Sequence, residues 1–330
     1  MRSRFSMLMG AAAHGAILAG ALLALAMPAS AQQWPSRPVK LINPFSAGSA
    51  VDVVARTVAD QLSKNLDAQF LVDNRTGASG NIGTELAARA APDGYTFLLG
   101  SPGTMAINPA LFDKLPYDAR KDFVPVVHIV SFPQALVVNA SVPAKTVDEL
   151  VKWVAAQKGN VNYASSGKGS TSHLVMEMIR SEAKLDMTHV PYRGGSLAMQ
   201  ALVGGEVQVA VEGLPSLPGH LAGGKVRALA VTSSTRAKTL PDVPALAETY
   251  KDFDAAAWII LFAPTGTPAP IVERMSSEVK RALSAPTVVE RLEKMSATAF
   301  GADPATTATF HAREMEKFRK AVEISGAKGN

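Results

Sequence analysis

Two serine- and glycine-rich loops are the parts of the sequence whose residue types and spacing fit binding chemistry. One runs from Pro44 to Asp52 and the other from Ala164 to Ser172. Each follows a strand-like segment and opens a helix-like one, which places backbone N–H groups and hydroxyls at a positive helix end that favours an anion. Either loop alone is better explained as a well-capped turn. Together they leave an anion site in a cleft and two ordinary turns as equal alternatives.

The first loop also carries a specific capping signal. Ser49 and Asp52 are three residues apart, which is the spacing of a capping box with an acidic residue in the third helical position. We therefore expect this loop to open the first helix.

Motifs for covalent, metal or nucleotide chemistry are absent from the sequence. The six His residues lie far apart and there is no Cys, so no metal site is predicted. No Gly-x-Ser-x-Gly pentapeptide is present. The stretch from Gly219 to Lys225 resembles a phosphate-binding loop, but Val226 stands where Ser or Thr would hold magnesium. The sequence therefore predicts no catalytic residue and no cofactor.

Composition indicates a globular protein that does not bind nucleic acid. The 330 residues are 47% hydrophobic and 18% charged, enough for a sizeable core and two domains. The net charge is +5, but no long basic run is present.

The first 31 residues read as a secretory signal peptide. Arg2 and Arg4 precede an apolar stretch over residues 7–27, and the segment ends in Ala-Ser-Ala at 29–31. A membrane anchor is the alternative, which His14 and the interspersed glycines disfavour. We expect cleavage after Ala31 and a freely soluble, monomeric protein in the periplasm, without disulfides or a cysteine-linked lipid.

Hydrophobic periodicity predicts alternating strands and helices, and hence an α/β protein with largely parallel sheets. The predicted strands are 39–42, 70–72, 95–99, 135–138, 189–190, 207–211, 227–231 and 258–262, and the predicted helices are 51–64, 147–157, 172–184, 197–203, 269–283, a short segment after Pro286, and 304–324.

Ten short motifs, in order along the chain, resemble one known family. They are WPSRPVKLINPF at 34–45, NRTGASGNIG at 74–83, APDGYT at 91–96, INP at 107–109, LPYD at 115–118, NYASSG at 162–167, HVPYRGG at 189–195, RALAVTS at 227–233, LPDVP at 240–244 and APTGTP at 263–268. Each alone is weak. As an ordered set they identify the chain as similar to the Bug or TctC substrate-binding proteins of tripartite tricarboxylate transporters.

The resemblance implies a type II periplasmic-binding fold, in which two α/β domains joined by two crossover strands close over a small carboxylate. Residues 32–130 and 255–330 would form domain I and 131–254 domain II, with crossovers within 126–138 and near 255–262. The implied ligand is a di- or tricarboxylate, an acidic amino acid or an aromatic acid, which is passed to integral membrane permease subunits.

The resemblance also implies a ligand site shared by both domains. Its residues would be Phe45, Ser46, Ala47, Gly48, Ser49, Ser101, Thr104, Ser165, Ser166, Gly169, Ser170, Gly194, Gly195 and Glu212. Phe45 reads equally as a lid on the ligand and as a packed turn residue. Glu212 either faces the ligand or turns outward to cap the following turn.

Other residues near these motifs are better explained by structure than by ligand contact. His173 is expected in the core or behind the ligand, Arg75 and Arg193 in exposed loop salt bridges, and Trp153, Met176, Met178, Met187 and Trp258 in the core.

The chain departs from the family pattern at three positions. Ser49 stands where the family usually has a second glycine, Glu212 where it usually has Asp, and Gln208 where it usually has another acid. The shape of the pocket therefore does not follow from the resemblance. A sensor protein that presents a carboxylate to a membrane kinase, or an exported enzyme on the same scaffold, stays open as an alternative function.

Overall fold

The structure, a computed structural model, describes residues Trp34–Lys328. The predicted signal peptide therefore lies outside the described residues. From Arg37 onward the chain forms one unit that contains all the helices and strands given below. None of the helices in this described range has both the length and the apolar character needed to cross a membrane.

Strands and helices alternate through the first two thirds of the chain. In order they are β1 (Val39–Asn43), α1 (Ala50–Leu66), β2 (Phe70–Asn74), α2 (Asn81–Ala88), β3 (Thr96–Gly100), α3 (Asn108–Leu111), β4 (Phe123–Phe132), β5 (Gln134–Asn139), α4 (Val147–Ala156), β6 (Asn162–Ser165), α5 (Thr171–Ala183), β7 (Thr188–Pro191), α6 (Gly195–Gly204), β8 (Val209–Gly213), α7 (Pro218–Ala222) and β9 (Val226–Val231).

The last third is mainly helical. It comprises β10 (Ala257–Pro264), α8 (Ala269–Leu283), α9 (Pro286–Lys294), β11 (Thr298–Ala302) and α10 (Pro304–Ser325). The sequence prediction located most of these elements but missed α2, α3, β4, β6, α7 and β11.

The strands form two sheets, and the chain passes between them twice. The six-stranded sheet has the order β11-β4-β10-β3-β1-β2 and the five-stranded sheet the order β7-β6-β8-β5-β9. The first passage lies between β4 and β5, at Pro133, and the second between β9 and β10. We call the six-stranded sheet with the segments that connect its strands the first lobe, and the five-stranded sheet with its connections the second lobe.

The prediction of largely parallel sheets is wrong. Only β1 with β2 and β3, and β6 with β7 and β8, pair in parallel. The strands β4, β5 and β10 are antiparallel to every partner. In the six-stranded sheet, β4 leaves the first lobe and β10 returns to it; they run in opposite directions, and neither is an edge strand.

Helix α10 connects the two lobes through apolar packing. It follows β11 of the first lobe and contacts both β4 and α5, the latter in the second lobe. Phe318 and Val322 of this helix belong to one buried cluster with Leu98 of the first lobe and Val175 of the second. A second cluster, which includes Val137 and Leu202, lies between the five-stranded sheet and α6.

Candidate functional site

The predicted ligand residues lie at the carboxyl edges of parallel strands. In the first lobe, residues 45–49 follow β1 and residues 101–104 follow β3, and these two strands are parallel neighbours. In the second lobe, residues 166–170 follow β6 and residues 194–195 follow β7, its parallel neighbour. The carboxyl edge is where open α/β sheets bind ligands, because the loops and helix N-termini converge there.

The first loop is built around a reciprocal cap on α1. Ser49 is the N-cap, and its Oγ accepts a hydrogen bond from the Asp52 amide at 3.2 Å. The Asp52 carboxylate reaches back to the amide of Gly48 at 2.9 Å. Gly48 has a φ of 78°, a conformation that glycine adopts without strain. The predicted capping signal is confirmed, although the acid bonds to the amide one residue before the N-cap rather than to that of the N-cap itself, and the helix begins at Ala50 rather than at 51.

Asp52 is held ionised by its neighbours although it is buried. Burial works to raise its pKa, but hydrogen bonds from Arg56, the Gly48 amide and Asn74 outweigh that effect and hold the pKa at about 2. Asn74 also donates to the Phe45 carbonyl oxygen at 3.1 Å. The pair Asp52 and Asn74 therefore fixes both ends of the first loop.

The first loop leaves backbone donors available. The amides of Ser46 and Ala47 lie in an exposed stretch, and those of Ala50 and Val51 lie in the first turn of α1. None of the four amides has a hydrogen-bond partner within residues 34–328. They are free to donate to an anion in front of the helix.

Phe45 and Thr104 meet at Gly80. A Cβ atom on Gly80 would lie 2.6 Å from Thr104 Cγ2 and 3.6 Å from the Phe45 ring, so only glycine fits there. Thr104 is fully buried, and its Oγ1 accepts from the Ser101 amide at 3.3 Å. Tyr117 donates to the Thr104 carbonyl oxygen at 2.6 Å. Thr104 is therefore a buried residue that packs under Gly80, while Phe45 packs against Gly80 from the surface and is half-buried.

In the second loop, the serine hydroxyls bond to one another. Ser170 caps α5 by accepting from the His173 amide at 3.3 Å. Ser172 Oγ lies 3.0 Å from Ser166 Oγ and 3.2 Å from Ser170 Oγ, and it accepts from the Ser166 amide. The first-turn amides of Thr171 and Ser172 have no partner in the described part of the chain. These two backbone amides are therefore free donors of this loop.

Two histidines lie behind the second loop. His173 is 3% exposed, and its Nδ1 accepts from the Gly169 amide at 3.1 Å. Ser165, itself buried, has its Oγ 2.6 Å from His189 Nε2. The expectation that His173 is a core or supporting residue is confirmed. The involvement of His189 was missed, because nothing in the sequence pairs it with Ser165.

Glu212 caps the turn that follows β8. Its Oε1 accepts from the Gly213 amide at 3.1 Å and from Ser216 Oγ at 2.9 Å. Its Oε2 lies toward Gly195, where an added Cβ would be 3.4 Å away. Burial raises the pKa of Glu212 against the opposing effect of these two hydrogen bonds. The carboxylate therefore caps the turn after β8, which is one of the two roles expected for it. It also lies beside Gly195, the first residue of α6.

The two arginines of the sequence prediction differ. Arg75 forms the expected exposed salt bridge, with Nε 2.9 Å from Asp73 Oδ1. Arg193 was expected to do the same, and this is wrong. It is exposed next to Gly194 and has no ion pair with any described residue.

Gln208, one of the three departures, lies away from these loops. Its Oε1 accepts from the Asn162 amide at 2.9 Å, at the amino end of β6. Its substitution for an acid therefore does not bear on the loop geometry.

The predicted site residues group by lobe, and one of them contacts the opposite lobe. Gly169 of the second loop lies against Leu111 of α3, so that an added Cβ would be 2.5 Å from Leu111 Cδ2. Two cavities, of about 690 and 1030 Å³, are lined by other residues. In the larger one Lys317 and Arg236 are already paired with Glu314 and Glu248, so these cations are not free for an anion.

Comparison with known proteins agrees with this architecture. The family model of the tripartite tricarboxylate transporter family receptor matches residues 54–326. Protein BugT of Bordetella pertussis is 36% identical over 306 residues, 92% of this chain and 94% of that protein.

Two solved structures from Rhodopseudomonas palustris superpose over most of the chain. Rpa4515 with adipate has a TM-score of 0.77 and 33% identity, covering 89% of this chain and 98% of that one. MatC with bound malate has a TM-score of 0.73 and 34% identity, covering 88% and 100%. The fold is thus the type II periplasmic-binding fold, and the chain belongs to the TctC family of solute-binding receptors.

Proposed function

We propose that this receptor binds a small organic carboxylate between its lobes and delivers it to membrane permease subunits of a tripartite tricarboxylate transporter. The observation that carries the proposal is the set of free first-turn amides at α1 and α5, one set in each lobe. Amides at a helix N-terminus match carboxylate oxygens in charge and in hydrogen-bonding capacity. The adipate and malate in the two R. palustris structures are ligands of this chemical class.

Contact with the ligand falls mainly on backbone groups in this proposal. The amides of Ala50 and Val51 at the start of α1, with those of Ser46 and Ala47 before it, serve one carboxylate, and those at the start of α5 serve another. Ser166, Ser170 and Ser49 act by holding their loops, because their hydroxyls are bonded within them. Phe45 covers the ligand from the side, and Gly194, Gly195 and Glu212 border it in the second lobe.

Export is part of the same proposal. The segment 1–31 directs secretion and is removed after Ala31, which leaves a periplasmic receptor that binds its ligand without altering it. Mass spectrometry of a carboxylate before and after incubation with the protein checks the second statement, because a new product would contradict it.

A thermal-shift screen tests the binding proposal. Mature protein is heated with adipate, malate, citrate, glutamate and benzoate over a range of concentrations. At a hundredfold its dissociation constant, a ligand that binds only the native state adds about 2.7 kcal/mol to the free energy of unfolding. If no carboxylate raises the melting temperature in a concentration-dependent way, the proposal is overturned.

A serine variant tests the second loop. Ser170→Ala removes the cap of α5 and should weaken binding of the best carboxylate by roughly 1 to 3 kcal/mol. Ser284→Ala, at the end of α8 in the first lobe, is the matched control and should leave affinity unchanged. Equal affinities for both variants would remove this loop from the site.

A further inference from the structure

Two imidazole rings are stacked beneath the second loop. The rings of His173 and His189 have centroids 3.9 Å apart and planes 16° apart. The Tyr163 ring lies beside this pair and nearly parallel to it, with its centroid 4.9 Å from that of His189 and 6.4 Å from that of His173. The three rings come from α5, β7 and β6, so the stack ties together the elements that flank the loop.

Each histidine holds a different end of the loop. His173 Nδ1 accepts the Gly169 amide, and His189 Nε2 lies 2.6 Å from Ser165 Oγ. Ser165 Oγ in turn accepts from the Gly167 amide at 3.2 Å. Residues 165–169 are therefore fixed from behind by two ring nitrogens, while the free amides of α5 lie just after them.

We propose that His173 and His189 are positioning residues for ligand binding, whose uncharged, stacked form holds the second loop in its anion-binding conformation. Protonation of the pair then loosens the loop and weakens ligand binding. This inference rests on the proposed function.

Protonation conflicts with this geometry in two ways. A proton on His173 Nδ1 would face the Gly169 N–H, so two donors would meet where a donor and an acceptor meet now. A second proton on the stack would place two cations at the ring spacing of 3.9 Å, where like charges repel strongly. The pair can therefore become charged only with a change in the loop or the stack.

The charged groups around the stack act on its protonation in opposite directions, and Glu177 favours a positive charge on His173. Glu177, on the same helix as His173, is bonded to the Tyr163 hydroxyl and paired with Arg180 at 2.8 Å. Lys168 and Arg180 oppose a positive charge on either ring. Burial, followed by His173 and then these cations, lowers the pKa of His189 to about 4, and burial also lowers the pKa of His173.

Two variants at one position separate the hydrogen bond from the ring. His173→Asn places an amide oxygen near the position of Nδ1 and cannot become charged, whereas His173→Phe keeps an aromatic ring and loses the acceptor. Affinities for adipate and malate are measured by calorimetry from pH 7.5 to 3. The ligands' own protonation is the same for every variant, so the differences between the curves report the protein.

The proposal predicts a distinct curve for each protein. Wild-type affinity should fall by up to about tenfold per pH unit below the pKa of the pair, beyond the fall seen in His173→Asn. His173→Asn should keep most of the affinity at pH 7.5 with the shallower curve, and His173→Phe should lose about tenfold or more at pH 7.5. Parallel curves for wild type and His173→Asn would overturn the proposal.

A measurement without ligand keeps the inference separate from the proposed function. In the wild-type protein, ¹⁵N NMR of the imidazoles should show His173 Nδ1 unprotonated at pH 7. The Gly169 amide signal should move at the midpoint of the first titration of the His173–His189 pair. A protonated Nδ1 at pH 7, or a Gly169 signal that ignores that titration, refutes the positioning role. If no carboxylate binds the wild type while these NMR results are as expected, only the proposed function fails.

Discussion

At the residue scale, two arginines, Arg193 and Arg75, differ in whether their charge is paired with a carboxylate. Arg75 is paired with Asp73, whereas Arg193 is exposed beside the Gly194–Gly195 turn with no ion pair to a described residue. An unpaired cation at the rim of a site attracts an anionic ligand and speeds its association.

Arg193→Gln should therefore weaken dicarboxylate binding by about 1 kcal/mol at low salt, mainly through a slower association rate. Stopped-flow measurements at two ionic strengths check this, since the difference from wild type should shrink as salt is added. Arg75→Gln is the matched control, because its charge is already compensated by Asp73. Equal effects of the two variants would mean that only net charge matters.

His128 is a buried histidine that makes stability depend on pH. It lies between the rings of Phe300 and Phe310, each with its centroid 4.3 Å away, and it is 2% exposed. Burial lowers its pKa from 6.5 to about 4, and Arg313 adds to the effect, against a hydrogen bond to the Val130 carbonyl oxygen. In this window the unfolded chain binds the proton more readily than the folded protein does.

The free energy of unfolding should consequently fall as the pH drops from 6.5 toward 4, with His128 contributing about 3 kcal/mol of that fall. His128→Phe retains the aromatic stack and removes the titration, so its stability should change less over the same window. Urea unfolding at pH 7, 5.5 and 4 measures both slopes. Identical slopes would show that His128 is protonated as easily in the folded protein as in the unfolded chain.

At the element scale, the start of α1 depends on one carboxylate. Asp52→Asn keeps the shape but weakens the bonds to Arg56 and the Gly48 amide, and the folded-state pKa of about 2 shows that the ionised form is the one stabilised. That contribution is present above pH 3.8 and is lost as the pH falls toward 2.

We expect Asp52→Asn to lower stability at pH 7 by roughly 1 to 2 kcal/mol and to weaken ligand binding, because the Ser46–Gly48 turn loses its anchor. Asp60→Asn, an exposed position on the same helix, should change neither. Chemical denaturation together with calorimetry provides both readouts. A variant that loses stability with unchanged affinity would show that the turn does not touch the ligand.

Sequence periodicity located those elements that have a long apolar stripe or alternation. Helix α1 and strand β10 are of this kind. It missed β6, only four residues long, and β11, a short edge strand that contains Gly301. Strand direction was misjudged because the pairing of β4 with β10 joins residues more than 120 positions apart, which local patterns do not encode.

The candidate site was predictable only in part, for the same reason. Loop composition and cap spacing identified residues 45–49 and 165–170. The residues that hold these loops come from elsewhere in the sequence: Asn74 contacts the first loop across a separation of 29 residues, and His189 contacts Ser165 across 24. Such contacts arise from parallel strand pairing, which brings the ends of β1 and β2, and of β6 and β7, together.

At the scale of the whole molecule, the lobes contact each other through α10 and also at the predicted site, where Gly169 lies against Leu111. Neither loop can surround a small anion alone, and the lobes are joined by the two chain passages near Pro133 and before β10. Ligand binding should therefore bring the lobes together, and small-angle scattering should show a smaller radius of gyration with saturating carboxylate.

Gly169 is the position where this closure can be blocked with one methyl group. Its φ of 75° strains any other residue, and a Cβ atom there would meet Leu111 Cδ2 at 2.5 Å. Gly224 has a φ of 64° with nothing within 4 Å of an added Cβ, so Gly224→Ala introduces the backbone strain without the contact.

Both alanine variants should lose about 1 to 2 kcal/mol of stability from the backbone strain. Only Gly169→Ala should also bind ligand more weakly and show a smaller decrease in radius of gyration. Adding Leu111→Ala to Gly169→Ala makes room for the methyl group, so the double variant should recover part of the closure and of the affinity, which a double-mutant cycle quantifies. If Gly169→Ala closes and binds as Gly224→Ala does, the contact with Leu111 is not part of the closed state, and the lobes must meet through other residues.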